Sequence, residues 1–350
     1  IVLRALRAGR NATLVATPGL RSQRVAIDGW GGATVLHDFP GQPGTDVTVT
    51  LDPAVQLAAD ATVAVSSQPV ALVAIRVSTG EVIAVSNGPA GSAGYNRALL
   101  NRYPPGSTFK VVSALAYLEA GLQPDDVVAC PATVVAGKRF KNAGEFALGD
   151  VPFRRAFARS CNTTFVKQSS SITPQQLTDT ARLLGFRDLD AELGMDVFGT
   201  EVPLTDDETM HAADSIGQGK VEGSALTVAL MAASVANGTS LSPRLFVEPG
   251  APAPAPGAAL PAGPVAALRE MMAEVVTDGT GSALAGVPGG PVHAKTGTAE
   301  FGTEDPPRSH AWIAGYQGDI AFAVVVEDGG GGGAVAGPVA ALFLTNLAGG

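Results

Sequence analysis

The sequence predicts one α+β domain whose sheet draws strands from both ends of the chain, and two observations predict it. Strand-like runs at residues 70–77 and 81–86 are joined by Ser78-Thr79-Gly80, a hairpin signal, and three more at 292–300, 309–317 and 320–327 lie near the C-terminus. Between these two groups the apolar spacing is helical. Strands at both ends with helices between them segregate into an α+β architecture, its sheet completed by the C-terminal strands.

Residues 1–45 are rich in Gly and Arg, with β-like runs at 12–16 and 24–27, and read as the tail of an upstream non-catalytic module and linker. The main domain is expected over 46–350. It opens with an alternating run at 47–51, after which Asp52-Pro53 supplies a cap and a proline at the first helical position. That helix is expected to reach about Val65. Beyond the hairpin and a Gly/Ser loop, a very apolar helix runs from Ser107 to Gly121. A second helical stretch covers 153–171, with a break at 160–162, and helices follow at 174–184 and 225–236. Residues 249–264, rich in Ala and Pro, read as a surface excursion or linker. A helix at 265–276, the three strands, a glycine run at 329–333 and a last helix near 338–347 complete the chain.

Composition narrows the chemistry. The chain has 350 residues, 46% of them apolar, which is ample for a sizeable core. Its net charge of −9 argues against a nucleic-acid partner, which calls for a basic surface. Cys130 and Cys161 form neither CxxC nor a zinc spacing. Two readings stand for them, one disulfide in an exported protein or two isolated core residues. His37, His211, His293 and His310 also lack metal spacing, and no cofactor is implied. No signal peptide and no bilayer-length apolar run is present. The chain starts at Ile1 rather than Met and reads as a trimmed fragment, compatible with the removal of an N-terminal anchor.

Three elements carry reactive groups. Ser107 and Lys110 lie three apart at the start of the apolar helix and so share one face. Ser107 would sit among unpaired helix N–H groups, and desolvation would lower the Lys110 pKa so that its neutral amine can act as a base. The competing reading is a plain N-cap with a lysine that reaches the surface. Ser160 and Asn162 stand at a helix break, where Ser160 can relay a proton and Asn162 can bind a substrate amide, or where both simply cap the helix. Lys295-Thr296-Gly297-Thr298 lies on a strand. Gly297 would let another backbone approach, as a peptide added along a strand edge requires. Lys295 and the two threonine hydroxyls would receive a carboxylate, and the N–H of Thr298 would join that of Ser107 as an oxyanion hole. An edge strand with a solvated lysine is the plainer alternative.

The ordered set S-x-x-K, S-x-N and K-T-G is much more specific than any one member. On these residues the chain resembles the transpeptidase domain of class B penicillin-binding proteins. The likeness extends over roughly 46–350 and includes Tyr95-Asn96-Arg97-Ala98, the 214–219 stretch, Ala236-Asn237-Gly238, and His310 with Trp312 and Tyr316. Most of these additional residues are expected to serve the structure, with Trp312 in the core.

The resemblance implies a β-lactamase/transpeptidase-like fold, an antiparallel sheet flanked by helices with an all-helical subdomain. It implies a D,D-transpeptidase acting on the D-Ala-D-Ala end of peptidoglycan stem peptides through a Ser107 acyl-enzyme. β-Lactams would acylate the same serine. Catalysis would fall to Ser107, Lys110, Ser160, Asn162 and Lys295, and substrate binding to Thr296, Gly297 and Thr298. The implied setting is the extracytoplasmic face of a bacterial membrane, beside other cell-wall synthesis proteins. A D,D-carboxypeptidase, a serine β-lactamase with Glu145 or Glu201 as its water-activating base, and a β-lactam sensor without turnover remain alternatives.

Overall fold

The computed structural model describes residues 20–24, 34–39, 46–89, 95–200, 202–247, 257–304 and 307–349. In chain order the elements are strands β1 (Leu20–Arg24), β2 (Thr34–Phe39) and β3 (Thr48–Val49), helix α1 (Pro53–Ala64), and the hairpin β4 (Val70–Arg76) and β5 (Val82–Gly88). Next come α2 (Arg97–Leu100), a 3-10 turn at Gly106–Phe109 and α3 (Lys110–Glu119). A mixed segment holds β6 (Val127–Cys130), β7 (Thr133–Ala136), β8 (Lys138–Lys141), β9 (Gly149–Pro152), α4 (Phe153–Ala158) and α5 (Asn162–Gln168). It is followed by α6 (Pro174–Leu183), α7 (Asp190–Leu193), α8 (Glu208–Asp214), α9 (Ala225–Asn237), β10 (Phe246–Val247) and α10 (Ala262–Thr277). The chain closes with β11 (Val292–Phe301), β12 (Arg308–Gln317), β13 (Ile320–Val326) and α11 (Ala336–Gly349).

The five long strands form one antiparallel sheet in the order β11-β12-β13-β4-β5, so the β13–β4 pairing joins the two ends of the domain. Side chains alternate across a strand, and here both faces are covered. Ala71, Val73 and Ile75 of β4 enter one core with α3, α9 and α10. Val70, Leu72 and Ala74 enter a second core with α1 and α11, where Phe322 of β13 packs on Phe343. Burial on both faces explains why β4 reads as an unbroken apolar run rather than an alternating one. Likewise α9 is apolar all round because residues 225–235 are all buried.

Local signals place several of the helices. Asp52 accepts from the N–H groups of Ala54 and Val55 at 3.0 and 3.3 Å and so caps α1. The expected break at 160–162 separates α4 from α5. Three features differ from the sequence reading. The first turn of the Ser107 helix is 3-10, with the α-helix starting at Lys110. α10 starts at Ala262, because Pro264 is tolerated in a first turn, so the Ala/Pro-rich stretch ends earlier than residue 264. The helical subdomain also carries two antiparallel ribbons, β6–β9 and β7–β8, too short to show alternation clearly. The run expected at 12–16 lies outside the described residues, as does most of 24–27. No helix among the described residues is long and apolar enough to cross a membrane.

Candidate active site

The Ser107 turn is pressed against the edge strand β11, and two glycines make that possible. At Gly106 φ is +52°, and a Cβ there would stand 2.6 Å from the carbonyl oxygen of Thr298. At Gly297, inside β11, a Cβ would lie 2.9 Å from the Pro105 oxygen and 3.0 Å from the Thr108 nitrogen. The backbone that approaches Gly297 is therefore the serine's own turn. The Gly106 N–H donates to the Gly217 oxygen at 2.9 Å and fixes the turn from the other side. Ser107 is half-buried, and its hydroxyl makes no hydrogen bond among the described residues.

Lys110 and Lys295 are fully buried, and both point at Ser160. The Lys110 Nζ donates to the Ser160 carbonyl oxygen at 2.8 Å and to Asn162 Oδ1 at 2.6 Å, and lies 3.4 Å from Ser160 Oγ. The Lys295 Nζ donates to Ser160 Oγ at 2.9 Å and to the Thr296 oxygen at 3.0 Å. Its other neighbour is the Phe157 ring, with Nζ 5.6 Å from the centroid. Lys295 is thus neither a solvated edge lysine nor open to the cleft, and a ligand would meet Thr296 and Thr298 before it. Ser160 itself has φ +60°, a left-handed conformation that is costly for a non-glycine residue and that accumulates at functional sites.

Burial sets the electrostatics. Desolvation, and then the neighbouring Lys295 charge, push the Lys110 pKa well below the ordinary lysine value. Desolvation brings Lys295 down to about 7. A neutral Lys110 has two N–H donors and one lone pair. Its two acceptor-only neighbours, the Ser160 carbonyl and Asn162 Oδ1, take the two N–H groups. The lone pair is then left to accept a proton.

These groups floor a cleft of about 790 Å³ lined by Ser107, Ser160, Asn162, Thr296, Gly297 and Thr298, all of them expected from the sequence. Glu145 lines it too, 3.7 Å from Lys141, whereas Glu201 lies outside the described residues. Two residues escaped the sequence reading. Thr280 shares a 2.5 Å hydrogen bond with Thr296, and its N–H donates to the Ala158 oxygen at 3.1 Å, so it ties the K-T-G strand to the end of α4. Buried Asn142 donates to the oxygens of Pro131 and Phe146 at 2.9 and 2.8 Å and accepts from the Thr163 N–H at 3.1 Å. Neither carries a local signal, because Thr280 meets Thr296 and Ala158, and Asn142 meets Pro131 and Thr163, only once the fold brings their segments together. Cys130 and Cys161 form a disulfide, which closes the alternative of two isolated cysteines.

Comparison with known proteins agrees with this geometry. The family model for the penicillin binding protein transpeptidase domain matches residues 70–345. The chain belongs to this transpeptidase family. Peptidoglycan D,D-transpeptidase PbpA of Mycobacterium tuberculosis is 33% identical over 259 residues, which are 67% of this chain and 52% of that protein. The chain therefore spans about half the length of the curated relatives it matches. Penicillin-binding protein A of M. tuberculosis, solved as a penicillin G acyl-enzyme complex, superposes with a TM-score of 0.75 at 26% identity, over 87% of this chain and 81% of that one. A chain of a peptidoglycan synthase complex, solved in a study of coordinated polymerization and crosslinking, gives a TM-score of 0.82 at 27% identity, over 99% and 70%.

Within the transpeptidase domain most of the other matching stretches serve the frame, while Ile216 and Gln218 of the 214–219 stretch line the cleft. Trp312 is buried and meets Tyr103 edge to face at 5.7 Å. The Tyr103 hydroxyl donates to Glu327 at 2.7 Å, and Arg97 pairs with the same carboxylate at 3.3 Å. Asn237 donates to the Val77 oxygen at 2.9 Å. In the 214–219 stretch, the Ser215 oxygen accepts from Ser113 on α3 at 2.7 Å.

Proposed function

We propose that this chain is the catalytic part of a D,D-transpeptidase that cross-links peptidoglycan stem peptides. The observation that carries the reading is the convergence of two buried lysines on Ser160, beside an unengaged Ser107 hydroxyl at the edge of β11. Ser107 Oγ attacks the carbonyl between the two D-alanines while neutral Lys110 takes its proton, directly or through Ser160. The N–H groups of Ser107 and Thr298 stabilise the oxyanion. The C–N bond breaks, and D-Ala leaves after the proton held by Lys110 passes through Ser160 to its amine, which leaves Lys110 neutral again. Thr296 and Thr298 hold the terminal carboxylate, and Lys295 contributes charge beneath them. The remaining N–H of Asn162, whose other N–H donates to the Lys141 oxygen at 3.0 Å, orients the peptide amide. An amine of a second stem peptide then attacks the ester and loses a proton to neutral Lys110, which returns it to Ser107 Oγ as the ester C–O bond breaks. β-Lactams enter as imitators of the dipeptide.

Residues 1–45 fit as the end of a non-catalytic module, and 46–350 as the transpeptidase domain. A disulfide suits an oxidising compartment, which supports placement on the extracytoplasmic side of a bacterial membrane, held by an anchor outside this sequence. Other cell-wall synthesis proteins are the natural partner class.

Intact-mass time courses with penicillin G test the reading. The wild type should form a long-lived adduct at Ser107, and Ser107→Ala should form none; labelling at another residue would sink the assignment. Loss of the adduct within seconds would move the reading to a β-lactamase. Assays on a D-Ala-D-Ala peptide separate the rest. Product that requires an added amine marks a transpeptidase, hydrolysis indifferent to amine a carboxypeptidase, and no turnover a sensor.

A further inference from the structure

The helical wall of the cleft carries charge that acyl transfer leaves unused. Lys138, Arg139, Lys141 and Arg159 all line it, against only Glu145 and Glu300, in a chain whose net charge is −9. Lys141 is 3.7 Å from Glu145, and Arg159 is 3.3 Å from Asp278. Among the described residues, Lys138 and Arg139 are exposed and have no ion-pair partner. Their ribbon is nonetheless fixed in place. Phe140 is buried between them and Lys141, the Lys138 ammonium lies 5.0 Å from its ring centroid, and the Lys141 carbonyl accepts from Asn162. The two free cations therefore line the same cleft on the strand whose last residue, Lys141, holds the amide that, in the proposed mechanism, orients the peptide upstream of the scissile bond. A cleft lined by one sign of charge concentrates ligands of the other, and a guanidinium fork matches a carboxylate.

We propose that Lys138 and Arg139 form an anion subsite that selects donor peptides bearing a carboxylate on the segment preceding the D-Ala-D-Ala end. The proposal rests on the acyl-transfer reading, and its test keeps the two apart. Three penicillins differ at a single side-chain carbon, which carries hydrogen in penicillin G, an ammonium in ampicillin and a carboxylate in carbenicillin. The double variant Lys138→Gln/Arg139→Gln should slow acylation by carbenicillin about fivefold, leave penicillin G within about twofold and not slow ampicillin. Equal change for all three would overturn the subsite. In the wild type, added salt should slow carbenicillin more steeply than penicillin G, since exposed charges are screened. Parallel salt slopes would overturn it even if the variant failed to fold. No labelling by any of the three would instead sink the Ser107 assignment.

Discussion

The two walls of the cleft are held in different ways. On one side β11 is locked by a continuous ladder, from Val292 opposite Gln317 to Phe301 opposite Arg308, in a sheet buried on both faces. On the other, Ser160 sits between helices of six and seven residues, the second of which opens at Asn162, and Ser160 has a left-handed backbone. That wall is assembled from separate ties: the Cys130–Cys161 disulfide, the buried Asn142 side chain and the bonds from Lys110 and Lys295. Helices this short have little stability of their own and depend on such contacts. In the proposed mechanism the sheet is thus the fixed reference for the carboxylate and the oxyanion. The proton-handling group is placed by interactions that can be removed one at a time.

Removing Lys110 should give the largest effect. Lys110→Ala deletes the proposed base and leaves Asn162 Oδ1 without its 2.6 Å donor, so penicillin acylation should fall about 10³-fold. Near-normal acylation kinetics would refute its role.

Replacing both cysteines with serine contrasts the walls more directly. The bridge joins residues 31 apart in sequence, and its loss should cost about 2–4 kcal/mol in denaturant unfolding. Acylation should slow as well, because Cys161 lies between Ser160 and Asn162. Val324→Ala in the buried face of β13 should cost about 2 kcal/mol yet leave the acylation rate of the folded enzyme unchanged. If the two changes slowed acylation alike, the distinction between the walls would fail.

The smallest effect is a displacement of the pH profile. The Lys295 cation lowers the Lys110 pKa, and Lys110 must be neutral to accept a proton. Acylation should therefore rise with pH along an acid limb. Lys295→Gln removes the lowering charge, so the limb should move to higher pH. An unmoved or downward limb in stopped-flow acylation would break the coupling between the lysines.

Much of this was legible in the chain. The five strands show as strand-like runs, the first two with a hairpin signal between them, and Asp52-Pro53 marks a helix start that the cap bonds bear out. Ser107, Ser160, Asn162, Thr296 and Gly297 were identified as types in a set order, and the fold gathers them at one cleft. Thr280 and Asn142 were not legible, since a threonine near a turn or an asparagine after a short strand carries no local mark of its partners. The β7–β8 ribbon was missed because four-residue strands give too few alternations to read.

Sequence alone determined the element pattern and the reactive groups, because periodicity and residue chemistry are local properties. The tertiary structure decided what those groups touch. Packing buried both lysines and turned them onto Ser160, used Gly297 for the serine's own turn, and joined Cys130 to Cys161. Each of these depends on segments far apart in the chain meeting in a low-dielectric interior, where the same lysine that would be a solvated cation on an edge strand is brought down to about 7.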